Sequence, residues 1–311
     1  MKKLFIAIAA LVVLFGTIYF LANKPQTPTD TNKIKVTASF YPLYYFTHEI
    51  AGDKASVVNL TPSGVEPHDY EPTPREIAQL QENKLLIING AGLEPWIEKL
   101  SRDLTAKGVT TITATDGISL QDGEAQEEET QQEGSFKDPH VWLSPVLAQK
   151  QAEKILQGLI TVDPQNKSYY EANAKNLQEK LTALDQKYKS GLSTCQQKEF
   201  VTSHAAFAYL AKEYGLTMTS IAGLSPEKEP SAAELAEVAT FAKENNVNYI
   251  FFETLVSPKL SETVANEIGA KTLVLDPIEG IGDDEISKGA NYFTVMEDNL
   301  QNLQEALQCK K

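Results

Sequence analysis

Cysteine and histidine are scarce in this chain: two Cys and four His among 311 residues. Two Cys cannot build a disulfide-stapled scaffold, a Cys₄ zinc module or a Cys-ligated iron–sulfur centre. Any metal site must therefore draw on imidazoles and carboxylates. Positive charge is also short, with 28 Lys and Arg against 42 Asp and Glu, a formal charge of −14 and a pI near 4.8. A nucleic-acid binder needs a basic face to displace counterions from phosphates, so that class is excluded. No sequence repeat recurs at a short fixed period, which excludes a solenoid. There is no HExxH and no recognisable nucleophile motif, so the chain does not read as an enzyme. What remains, 42% hydrophobic and 23% charged residues, describes an ordinary globular protein of about two domains of roughly 100–200 residues each.

The one long apolar run is N-terminal. Lys2 and Lys3 precede nineteen uncharged residues, Leu4 to Ala22, roughly 28 Å of helix against a hydrocarbon core of about 30 Å. Phe20 fits a small-x-small cleavage site badly and no Cys follows the run, which argues against a lipid anchor. Residues 1–22 read as an uncleaved signal-anchor with the basic end cytoplasmic, and 23–33 as a polar, Pro-bearing tether. A cleaved signal peptide is the competing reading. Both place the folded part outside the cytoplasm, in the periplasm or at the cell surface. An oxidised pair persists there, so Cys195 and Cys309 are expected to be bridged, two separate thiols being the alternative.

From residue 34 short β-type runs alternate with helical patterns. Strands are expected at 35–40, 56–61, 84–89 and 110–114, then at 199–203, 217–221, 248–253 and 271–275. The reading is two similar α/β lobes, residues 34–162 and 193–311, each with a four-stranded mainly parallel sheet flanked by helices. Thr73-Pro74-Arg75-Glu76 and Ser231-Ala232-Ala233-Glu234 are capping boxes, and Ser144-Pro145 and Asp163-Pro164 pair a cap residue with an N1 proline. The last of these opens a stretch without a breaker until Gly191, predicting one long rigid helix over about 163–192. Its Tyr170, Ala174, Leu177, Leu181, Leu184 and Tyr188 keep a 3–4 spacing and so bury one face. Residues 121–136 carry six acids and no basic residue, the composition of a solvated loop.

His48 falls within a helical pattern with no second ligand at a matching spacing, an ordinary helix face. His68, His140 and His204 all lie in strand-to-helix connections. Ligands of open α/β sheets bind outside the carboxyl ends of strands. Three neutral imidazoles suit Zn²⁺, with Mn²⁺ as competitor. A fourth ligand is expected after the last strand, where Asp276 and Glu279 stand, with Asp283, Asp284 and Glu285 further out. Glu66 and Asp69 flank His68 and are candidates to orient its ring from behind the ligands. Trp96 and Trp142 are expected to pack the lobe interface or shield the site.

The blocks GVEPHDYEPTP, NGAGLEPWIEKL, KDPHVWLSP, SHAAFAYLAKEYGL, EKEPSAAEL and SPKLSETVANEIGAK, in order over residues 34–308, resemble the zinc/manganese solute-binding proteins of ABC transporters (cluster A-I, zinc-uptake type). That resemblance implies two lobes bridged by one long helix with the metal in the cleft between them. It implies His68 and His140 as first-lobe ligands, His204 as a second-lobe ligand and Glu279 as the fourth. Asp276 is the alternative to Glu279, or a supporting carboxylate. Where manganese-type relatives carry Glu at the third position, this chain has His204, which implies Zn(II) as transported ligand and a membrane permease as partner. Two features depart from the pattern: a Glu-rich loop where many zinc-type relatives have a His-rich one, and the N-terminal helix in place of a lipid anchor. The alternatives are manganese or iron capture by the same fold, a metal-binding surface adhesin and, least favoured, a zinc hydrolase.

Overall fold

The computed structural model describes residues 33–123, 137–227 and 229–310. The expected signal-anchor, nearly all of the tether and most of the acidic loop lie outside these residues. Among the described residues no helix is long and apolar enough to cross a membrane.

The first lobe runs β1 (Ile34–Ala38), α1 (Tyr41–Ala51), β2 (Ala55–Asn59), α2 (Pro74–Leu80), β3 (Leu85–Ile88), α3 (Ile97–Ala106), β4 (Thr110–Thr113) and α4 (Pro145–Val162). After a 3₁₀ turn at Pro164–Asn166, the long helix α5 (Lys167–Leu192) leads to the second lobe. There follow β5 (Glu199–Thr202), α6 (Ala208–Tyr214), β6 (Thr217–Ser220), α7 (Ala232–Glu244), β7 (Tyr249–Phe252), α8 (Lys259–Ile268) and β8 (Lys271–Val274). A short α9 (Asp283–Ser287) and α10 (Tyr292–Ala306) close the chain. The sheets have the orders β2-β1-β3-β4 and β6-β5-β7-β8, every pair parallel. This is the architecture that the alternating pattern predicts, including all eight strands. The run Leu85–Ile88 is buried at every position, as a strand covered on both faces must be.

The capping boxes at Thr73 and Ser231 form as expected, and Ser144 caps α4. Asp163 does not cap: its carboxylate instead accepts from the Tyr170 hydroxyl at 2.5 Å, and the chain makes its 3₁₀ turn before α5 begins. The expected buried stripe of α5 is buried throughout. The helix runs through Gly191 to Leu192, and that glycine lies against α10, where a Cβ would meet the Gln304 side chain at 2.6 Å. Lys180 of α5 pairs with Glu49 of α1, while Lys187 pairs with Glu297 of α10 and the Tyr188 hydroxyl donates to Met296 O at 2.7 Å. One apolar cluster accordingly runs from Val36 in β1 through Leu177 and Leu184 to Leu303 in α10. Cys195 and Cys309 are joined by a disulfide that ties the start of the second lobe to the end of α10.

Candidate metal centre

Both sheets reverse strand order beside their first strand, and the carboxyl ends there face the same cleft. His204 follows β5 with one residue between, so its place is set by the strand itself. His68 sits in the long connection from β2 to α2. That connection is pinned by the Thr61 hydroxyl on Ser39 O and by the Ser63 hydroxyl on Ile281 O, a contact from the other lobe. His140 leads into the 3₁₀ turn Val141–Leu143 ahead of α4. Glu279 lies in the connection that follows β8.

These four side chains converge. His140 Nε2 lies 3.2 Å from His68 Nε2, 3.2 Å from His204 Nε2 and 3.2 Å from Glu279 Oε1. Glu279 Oε1 is 3.3 Å from His68 Nε2 and 3.4 Å from His204 Nε2. The whole ligand-atom set fits within 4.8 Å. His140, His204 and Glu279 are completely shielded at the side chain, and His68 keeps one exposed edge of 10%. Of the four side chains only His68 keeps any solvent exposure.

Two residues outside the expected set support the imidazoles. Asp138 Oδ1 lies 2.8 Å from His140 Nδ1, and Glu253 Oε1 lies 2.6 Å from His204 Nδ1. In the neutral ring each carboxylate takes the Nδ1 proton and leaves the Nε2 lone pair for the cleft. Glu253 also accepts from the Ser203 hydroxyl and from His204 N. A similar bracket stands in the first lobe, where buried Glu94 accepts from the Ser39 hydroxyl at 2.6 Å and from Asn89 N at 2.7 Å. Glu253 follows directly on β7, so the strand-end rule that finds the histidines extends to it. Asp138 precedes His140 by two residues, where its Oδ1 also accepts from His140 N at 2.9 Å. Tyr209 of the second lobe donates to Asp138 O at 2.8 Å and steadies that segment across the cleft.

The remaining candidates fall elsewhere. Glu66 is half-buried with Oε1 accepting from His68 N at 3.2 Å. Burial, then the nearby Glu279 charge, push its carboxyl up to about 9, so it is neutral at pH 7. Asp69 is exposed. Asp276 is outside the four-residue cluster: its carboxylate accepts from the Thr254 hydroxyl and from Ile278 N, both at 2.7 Å. Burial raises it to about 6. His48 is exposed on α1 beside Tyr44. Trp142 is fully buried between the lobes, its ring 5.1 Å from that of His140. Trp96 corrects the expectation: it packs inside the first lobe with Leu60, Leu80, Leu86 and Leu104, because the apolar face of α3 and the strands beside it supply that cluster.

Burial by itself would depress both His140 and His204, but the carboxylates at either end of each ring outweigh it. His140 is held above its ordinary value and His204 well above. His68 lacks such a backing carboxylate, and burial pushes it down. Burial would raise Glu279, yet His204 and the hydrogen bonds of the three rings hold it well below the carboxylate range.

The sequence matches the family described as zinc-uptake complex component A, periplasmic, over residues 36–306. The chain belongs to this family. The high-affinity zinc uptake system protein ZnuA of Bacillus subtilis is 43% identical over 308 residues, 97% of each chain. The zinc-binding lipoprotein AdcA of Streptococcus pneumoniae is 42% identical over 98% of this chain, which spans only 61% of that longer relative. The crystal structure of the Zn(II)-bound ZnuA-like domain of S. pneumoniae AdcA superposes with a TM-score of 0.76 at 42% identity, covering 88% of this chain and 99% of that domain. Family members are solute-binding components of transport systems, and the two lobes with their long helix are the fold they share.

Proposed function

We propose that the protein captures Zn(II) outside the cytoplasm through His68, His140, His204 and Glu279 and hands it to an ABC-transporter permease. The observation that carries this reading is the spacing of the four ligand atoms. Zinc with arms of about 2.0–2.1 Å makes a tetrahedron whose edges are about 3.3 Å. Five of the six edges here measure 3.2–3.4 Å. A square set would have two diagonals longer by a factor of about 1.4, and at most one edge is free to be long. Three imidazoles also favour Zn²⁺ over Mn²⁺, which prefers more oxygen ligands and octahedral surroundings.

The same geometry supports a carrier rather than a hydrolase. A catalytic zinc keeps a position open for water, whereas Glu279 fills the fourth position. The relatives' names, zinc uptake and zinc binding, agree with that role. Attachment to the membrane through residues 1–22 would keep the protein beside its permease. Elemental analysis of the purified chain followed by Zn²⁺/Mn²⁺ competition titration tests the proposal. Tighter binding of Mn²⁺, or zinc affinity unchanged in His204→Ala, would refute it.

A further inference from the structure

The connections that bear His140 and Glu279 come from opposite lobes and meet at one indole. Trp142 lies two residues after His140, and its Nε1–H donates to the carbonyl of Pro277, two residues before Glu279, at 2.7 Å. The indole is fully buried, set edge-on against Phe40 with centroids 4.6 Å apart. The Trp142 carbonyl in turn accepts from the Tyr292 hydroxyl of α10 at 2.6 Å.

The segment that this indole holds is strained. Ile278 has φ +59°, a left-handed conformation that a β-branched residue adopts only when its surroundings enforce it. Those surroundings are visible bond by bond. Asn299 accepts from Asp276 N at 2.8 Å and donates to Asp276 O at 2.7 Å. The Asp276 carboxylate takes Ile278 N, and the Ile278 side chain is fully buried. The Pro277 carbonyl is held from across the cleft, by Trp142.

We propose that Trp142 is a positioning residue for Glu279, holding the left-handed turn that aims this carboxylate at the three histidines. The proposal rests on the reading of Glu279 as a zinc ligand. Without the indole N–H, the buried Pro277 carbonyl loses its donor. The segment then relaxes toward negative φ at Ile278, and Glu279 swings off the metal. Retention of zinc is thereby tied to contact between the lobes, since the donor belongs to one and the strained turn to the other.

The test is a double-mutant cycle on the purified full-length chain, read as the rate at which excess chelator strips bound zinc. Trp142→Phe keeps an aromatic ring in the core and should accelerate zinc loss roughly tenfold in the parent chain. In a Glu279→Gln background the same change should add less than about twofold, because its route of action is already removed. Equal acceleration in both backgrounds, or none in the parent, overturns the proposal. Glu279→Gln with no effect of its own would instead overturn the ligand reading beneath it. A second arm needs no substitution. The chain has two Trp, so the indole N–H signals of ¹⁵N-labelled protein can be followed separately by hydrogen exchange. Zinc should slow exchange at Trp142 roughly tenfold and leave Trp96, in its own first-lobe cluster, unchanged. Equal exchange at Trp142 with and without zinc would also overturn the proposal.

Discussion

Loading the site with Zn(II) should expel protons from the two imidazoles that carboxylates back. His140 lies between Asp138 at Nδ1 and Glu279 at Nε2, and His204 between Glu253 and the same Glu279. Both rings are held above the ordinary histidine value of about 6.5, so each holds its proton more tightly in the metal-free cluster than a free imidazole does. His68 is pushed down by burial and is neutral. Zinc needs all three Nε2 lone pairs, so any proton held on these rings at Nε2 must leave as the dication enters. Proton release offsets part of the incoming charge and so lowers the cost of placing a dication in the interior. While both rings are protonated, each pH unit of acidification should weaken zinc about 100-fold, or roughly 2.7 kcal/mol for two groups. Affinity should rise with pH and level off once both rings have lost their protons. The metal-free fold behaves oppositely. Stability from a raised imidazole is fully present below about pH 6.5 and is lost as pH rises through the higher folded value. The melting temperatures of loaded and metal-free protein should therefore diverge with rising pH. Calorimetric titration in buffers of different ionisation enthalpy counts the protons directly. Absence of proton release at pH 7, or zinc affinity independent of pH between 6 and 7, would refute the reasoning.

Three other outcomes follow from the same contacts. Asp138→Asn and Glu253→Gln, neither of which removes a ligand, should each weaken zinc by about 10- to 100-fold in competition titrations; unchanged affinity would show that these carboxylates do not orient the rings. Breaking the Cys195–Cys309 bridge by Cys195→Ser with Cys309→Ser frees a loop with a sequence separation of 114, which the chain-entropy estimate equates with about 4.8 kcal/mol. Guanidinium unfolding should show that loss, with zinc affinity within twofold, because the bridge lies at the amino-terminal side of β5 and the ligands at the carboxyl side. His48→Ala, on an exposed face of α1, should leave zinc binding within twofold by calorimetry.

The fold was legible because its signals are local. Bounded apolar runs mark the strands, Thr73 and Ser231 start helices with side chains three residues apart in sequence, and the stripe from Tyr170 to Tyr188 repeats at helical spacing. The convergence of His68, His140 and His204 was legible for a topological reason: strand ends of parallel sheets share one side. Asp138 and Glu253 were not, because one acidic residue in a loop looks like another until the ring it faces is known. Ile278 gives no sequence sign of a left-handed turn, a conformation that glycine or asparagine would have advertised. The delayed start of α5 was not legible either, because Asp163 reads as a cap until its carboxylate is seen to accept from Tyr170. Trp96 was misplaced for a similar reason, since apolar character says that a ring is buried but not in which cluster.

The bracket of glutamate and serine at the end of each lobe's first strand bears on how such a site arises. Glu94 holds Ser39, and the next residue is Phe40; Glu253 holds Ser203, and the next residue is His204. The first bracket contacts none of the four ligand side chains directly. The second sets an imidazole where the other half keeps a benzene ring, and the buried acid that holds its serine also faces Nδ1 of that imidazole. The support behind His204 is thus a strand-end arrangement that both halves possess, and only the second half sets a metal-binding ring in it.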